Sequence, residues 1–104
     1  MTSEHLKSSC SIWYVYLIRT RFDYLYCGIT TDVSRRYLQH CQGSGAKSLK
    51  GKGPLTLEWF EAVGKSRSTA SKYEYRIKKL SKALKEKLIQ KAVVLDELID
   101  IEET

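Results

Sequence analysis

Apolar positions are densest near the start of the chain and change period along it. Ile12 to Thr20, IWYVYLIRT, is an almost unbroken run of β-branched, aromatic and aliphatic residues, the pattern of a strand buried on both faces over much of its length. Arg21, Phe22 and Asp23 interrupt the run and Tyr24 to Ile29, YLYCGI, resumes it, which predicts a β-hairpin. Thr31-Asp32 then offers an N-cap, and Val33, Tyr37 and Cys41 recur at spacing four, so a helix is expected that ends by Gly43. Residues 43–53, GSGAKSLKGKG, are rich in glycine and lysine with almost no apolar anchor and predict a flexible basic loop.

After the single proline, Leu55, Leu57 and Trp59 alternate with Thr56, Glu58 and Phe60, so Leu55 to Val63 is expected to be a third strand closed by Gly64. Ser66 or Ser68 can cap a helix whose inner side carries Ala70, Tyr73, Ile77, Leu80 and Leu84, with Ser81 dividing it in two. The second part, SKALKEKLIQK, sets Leu84 and Leu88 beneath a lysine-covered surface. The predicted order is β-β-α-β-α-α, an α/β fold of the α+β kind with a three-stranded antiparallel sheet flanked by helices. One domain over residues 12–91 fits the 104-residue length, between a loose arm at 1–11 and an acidic tail at 92–104 that is expected to be mobile beyond Leu95.

Charge narrows the partner. All 18 lysines and arginines lie at or before Lys91 while five of the 12 acidic residues follow it, so residues 1–91 carry 18 − 7 = +11 against +6 for the whole chain. So dense a charge attracts polyanions by counterion release, and nucleic acid is the leading partner class; a well-solvated surface, or a basic face for an acidic protein, is the plainer alternative. The first ten residues hold no apolar core of a secretory signal, and no apolar run is long enough to span a bilayer, so a cytoplasmic location without membrane contact is expected. Cys10, Cys27 and Cys41 form no CxxC pair and are expected to be reduced, small core residues. GSGAKS is not a phosphate-binding P-loop, because Ala46 stands where the glycine before the lysine belongs.

The hairpin carries a more specific pattern. Tyr14-Val15-Tyr16 and Tyr26-Cys27-Gly28 place tyrosines ten residues apart, followed by a threonine-containing turn, then Arg36-x-x-x-His40, and Glu74 in ASKYEYRIKKL. This spaced set, covering roughly residues 12 to 90, resembles the GIY-YIG nuclease superfamily, and the whole chain looks most like its small stand-alone bacterial members. The resemblance implies a metal-dependent, structure-selective endonuclease or nickase acting on nucleic acid, DNA foremost, without sequence-specific cleavage. It also implies a catalytic set of Tyr16, Tyr26, Arg36, His40 and Glu74, with Glu74 holding one Mg²⁺ or Mn²⁺.

These residue types suit the reaction. Hydrolysis of a phosphodiester needs an activated water and neutralisation of charge on the phosphate in the transition state. Tyr16 and Tyr26, on adjacent strands, could orient or deprotonate water, given a nearby cation to lower a phenol pKa of about 10. Arg36 can fork onto phosphate oxygens, His40 can shuttle a proton or bond phosphate, and Glu74 can hold one divalent ion among waters. Arg35, Lys47, Lys50 and Lys52 are candidate contacts to the nucleic-acid backbone. Each also has an ordinary reading: the tyrosines as packing residues, Arg36 and His40 as solvent-facing helix positions, Glu74 as the i, i+4 partner of Lys78. Many family nucleases use a late asparagine to help hold substrate, and this chain has none. That departure keeps open the alternative of a nucleic-acid-binding module on the same scaffold with little or no cleavage.

Overall fold

A computed structural model describes residues 11–99. Strands β1 (Trp13–Arg19), β2 (Leu25–Thr30) and β3 (Thr56–Gly64) form one antiparallel sheet in the order β2-β1-β3. Helix α1 (Val33–Cys41) follows the hairpin, a 3-10 turn at Lys47–Leu49 interrupts the basic loop, and α2 (Arg67–Lys78), α3 (Lys82–Ile89) and α4 (Leu95–Leu98) follow β3. The expected β-β-α-β-α-α order is present, with one further short helix at its end. Among the described residues no helix is long and apolar enough to cross a membrane.

β1 is central, and Val15 to Ile18 are buried on both faces, as its continuous apolar run requires. On one face Val15, Leu17, Cys27 and Trp59 pack against Ile77, Leu88 and Leu95 of the later helices and Ile99 just beyond the last. On the other, Tyr16 and Ile18 pack with Leu49, Tyr26, Tyr37 and Leu57 beneath α1 and the basic loop. Asp32, Ser66 and Ser81 cap α1, α2 and α3, each accepting the backbone N–H three residues on. Ser66, rather than Ser68, is thus the cap of α2.

Four expectations are corrected. The alternation in β3 breaks at a bulge: Leu17 faces Trp59 but Ile18 faces Leu57, so Trp59 and Leu57 pack on opposite faces of the sheet. The loop at 43–53 does have an apolar anchor, since Leu49 is buried in the second cluster. Cys41 is exposed, whereas Cys27 is a core residue whose thiol burial pushes up to about 12. The chain beyond Leu95 does not run free as far as Ile99, because Ile99 is buried with Leu95 in the first cluster. The expected arm at 1–11, Ser11 excepted, and residues 100–104 of the expected tail lie outside the described residues.

Candidate active site

The site is organised around Tyr16, which β1 presents on the face covered by α1. Its pairing partner on β2 is Gly28, and a Cβ there would collide with the phenol oxygen and its ring carbon. The glycine of Tyr26-Cys27-Gly28 therefore clears the space in which the Tyr16 ring lies. Tyr26, opposite Ile18, projects on the same face, and the two rings stand 6.3 Å apart.

His40 completes the cluster from α1. It is buried, its ring 5.9 Å from that of Tyr16 and edge-on to Tyr26 at 5.5 Å. The backbone N–H of Ala46 donates to its Nδ1 at 3.1 Å, so Nδ1 holds a lone pair and the neutral ring's proton lies on Nε2. Nε2 in turn donates to Tyr16 Oη at 2.8 Å. Burial first, and then the Arg36 charge, bring the His40 pKa down to about 4, so the ring is neutral at pH 7. Both ring nitrogens are occupied within the protein. In this geometry the His40 ring is held toward Tyr16, and neither nitrogen is left open for the proton shuttle or phosphate contact expected of it. Gly45 permits the close approach, because a Cβ there would overlap the imidazole.

Burial, followed by the neighbouring Tyr26, raises the Tyr16 pKa to about 12, while a hydrogen bond and the charge of Arg36 act in the opposite direction. Arg36 is half-buried and donates to Gln39 Oε1 at 2.9 Å. Arg36 and His40, one turn apart, both turn inward on α1, so neither is a plain solvent-facing residue; of the expected Val33, Tyr37 and Cys41 face, Tyr37 packs on the second cluster and Cys41 is exposed.

Glu74 comes from α2, whose Ile77 packs on the opposite face of the sheet. It makes the i, i+4 ion pair with Lys78 at 3.2 Å. Burial raises the Tyr26 pKa most; the charges of Lys78 and Arg36 lower it and that of Glu74 raises it, so Tyr26 is within the field of all three. Among the described residues no three His, Cys, Asp or Glu side chains converge on one point. One carboxylate still fits Mg²⁺, which commonly takes one or two protein carboxylates and completes its shell with waters and substrate phosphates.

Next to Arg36 an open cleft of about 330 Å³ is lined by Trp13, Thr30, Asp32, Arg35, Gln39 and Arg67. Asp32 is committed to capping α1, and Arg67 stands over the Trp13 ring at 5.6 Å. Three guanidinium groups thus border one opening, chemistry that suits an anion; Arg35 and Arg36 were expected among the site residues, Arg67 and Trp13 were not. Arg67 gives no sequence signal of this: it is one of many basic residues, brought here only because α2 starts beside β1. Lys47, Lys50 and Lys52 are exposed on the loop that also supplies the Ala46 N–H. That loop adjoins the site without lining the arginine cleft.

Comparison with known protein families matches residues 12–88 to the GIY-YIG catalytic domain. A UPF0213 protein of Vibrio cholerae is 54% identical over 95 residues, 91% of this chain and 94% of that one. The UPF0213 protein YhbQ of Escherichia coli O127:H6 is 53% identical over 88 residues, 85% of this chain and 87% of that one. Among solved structures, the solution NMR structure of the UPF0213 protein BH0048 from Bacillus halodurans is 39% identical, covers 76% of this chain and 83% of that chain, and superposes with a TM-score of 0.48.

Proposed function

The chain belongs to the GIY-YIG catalytic-domain family, and from that premise we propose that it is a metal-dependent, structure-selective endonuclease or nickase hydrolysing nucleic-acid phosphodiester bonds, DNA foremost. The observation that carries the reading is a phenol locked in place beside an arginine cleft: Ala46 N–H to His40, His40 to Tyr16 Oη, with Arg36 alongside.

Arg36, with Arg35 and Arg67 around the same opening, draws in a phosphate and offsets the charge that builds on it in the transition state. Tyr16 accepts its hydrogen bond from His40, so its own O–H remains available to a water or a phosphate oxygen. With a pKa of about 12 the phenol is protonated at neutral pH and orients water as a hydrogen-bond partner. Removing the water's proton would need more positive charge near Oη than Arg36 alone provides. Glu74 is the residue that would hold a divalent ion, in competition with Lys78. When bound, such an ion neutralises phosphate charge and acidifies a water.

A binding module that does not cut is the second reading. The absence of asparagine favours it. The deciding experiment is cleavage of labelled linear, flapped and branched DNA with Mg²⁺ or Mn²⁺, run beside Glu74→Ala and Tyr16→Phe. Metal-dependent nicking that falls by at least about 100-fold in both variants is the expected result. Equal cutting by Glu74→Ala would sink the assignment of the metal ligand, and silence from all three proteins with binding intact would leave the non-cutting module.

A further inference from the structure

The turn between β1 and β2 carries two large aromatic residues that neither core cluster uses. Phe22 and Tyr24 are 60% and 61% exposed, and both wall a cleft of about 390 Å³ completed by Thr20, Ser48 and Lys52. That volume is in the range of small-ligand sites, about 300–1,000 Å³.

The turn holds these residues in place before anything binds. The backbone N–H groups of Phe22 and Tyr24 both donate to Thr20 Oγ1, at 3.2 and 3.3 Å, and Thr20 N donates to the Tyr24 carbonyl at 2.9 Å. Arg21 N donates to the Lys52 carbonyl at 3.1 Å, which ties the turn to the basic loop. The Arg21 guanidinium lies 4.6 Å over the Phe22 ring and is itself anchored by donating to the Gly53 carbonyl at 2.9 Å. Ordering entropy has thus largely been spent in folding, so a flat ligand loses less on binding here than on a mobile loop.

Two exposed rings, one face of Phe22 already covered by the Arg21 guanidinium, with an ammonium and hydroxyls in the same cleft, match an unpaired base with its phosphate: the base stacks on the remaining ring surface and the phosphate meets the cations. A base inside a duplex is already stacked on both sides and cannot enter. The position also suits the chemistry. β1 spans about 20 Å from Trp13 to Arg19, with the arginine cleft near its start, Tyr16 at its middle and the aromatic turn past its end. We infer that the Phe22–Tyr24 turn is a stacking site for an unpaired base of single-stranded or frayed nucleic acid, seated one short span from Tyr16. The inference rests on the reading of the chain as a nucleic-acid enzyme or binder, and it supplies the structural feature selected: unpaired bases beside the bond to be handled.

The test is fluorescence anisotropy at low salt, with a short labelled single strand and the same sequence as a duplex, on wild type and on Phe22→Ala/Tyr24→Ala. Stacking on an aromatic side chain predicts that the double variant loses at least about fivefold in single-strand affinity while its duplex affinity is unchanged. Phe22→Trp, which enlarges the ring, should keep or strengthen single-strand binding. Both removed rings are exposed, so thermal melting of the double variant should match wild type, which separates the removal of a binding surface from damage to the fold. Equal loss on both ligands, or no loss on either, overturns the stacking site while leaving the proposed function standing. A wild type that binds neither ligand overturns both.

Discussion

His40 is the residue on which the protonation state of the site turns. Its ordinary pKa is near 6.5, and burial holds it at about 4 in the folded chain. Between those values the unfolded chain binds a proton that the folded chain refuses, so stability is intact above about pH 6.5 and is lost as pH falls toward 4. Protonation would also place a proton on Nδ1, where the Ala46 N–H already points, and remove that hydrogen bond. The expected loss is on the order of 2–3 kcal/mol. Denaturant unfolding across this pH range, compared with His40→Gln, measures it: glutamine can accept from Ala46 but does not titrate, so its stability should vary less with pH. Equal pH slopes in the two proteins would refute the assignment. The resemblance to the GIY-YIG pattern singled out Tyr16, Tyr26, Arg36, His40 and Glu74 as a set. It did not reveal that both nitrogens of His40 are committed inside the protein, because the Ala46 contact depends on a loop path that no periodicity encodes.

At the scale of elements, α1 and α3 end in the same motif with different residues. After α1, Ser44 N donates to the Gln39 carbonyl at 3.0 Å and Gly43 N to that of His40 at 3.2 Å, with Gly43 at φ +84°. After α3, Ala92 N donates to the Lys87 carbonyl at 2.9 Å and Lys91 N to that of Leu88 at 3.0 Å, but Lys91 holds the left-handed position at φ +60°. A side chain there costs about 1–2 kcal/mol, against about 0.3–1 for a lost charge at the helix C-terminus and a further entropic cost of glycine in the unfolded chain. Lys91→Gly should therefore stabilise by about 0.5 kcal/mol and raise the Tm by roughly 2–4 °C in a thermal melt, and a lower Tm would contradict it. Capping residues, the hairpin and the glycine stop after α1 could all be read in the sequence because each is a local signal. The β3 bulge could not, since it is fixed by pairing with β1 some 40 residues away, and it is what turns Leu57 and Trp59 to opposite faces. Nor could the docking of Leu95 and Ile99, whose acidic neighbours mask two apolar residues at helical spacing.

Over the whole molecule, the fold sorts charge that the sequence only totals. Arg19 binds Glu58 at 2.6 Å, Asp23 at 2.6 Å and Glu86 through both terminal nitrogens at 2.7 Å, and Lys82 joins Asp23 and Glu86 at 2.9 and 3.0 Å. This network fastens β1, β3, the hairpin turn and α3 together, and it uses three of the seven carboxylates found before Lys91. Lys78 takes a fourth in Glu74. Among the described residues Lys47, Lys50 and Lys52 make no ion pair and lie on the loop above the Tyr16 face. If nucleic acid lies across that face, these three lysines release counterions on binding and those on the far layer do not. Plotted as log affinity against log salt for a duplex, the slope should become shallower by about 2–3 in Lys47→Ala/Lys50→Ala/Lys52→Ala, at about 0.9 for each phosphate no longer neutralised. Lys87→Ala/Lys91→Ala, on the opposite side of the sheet, should leave the slope unchanged. A slope lowered in proportion to charge removed in both variants would mean that binding follows net charge alone, and that the loop has no defined place in the complex.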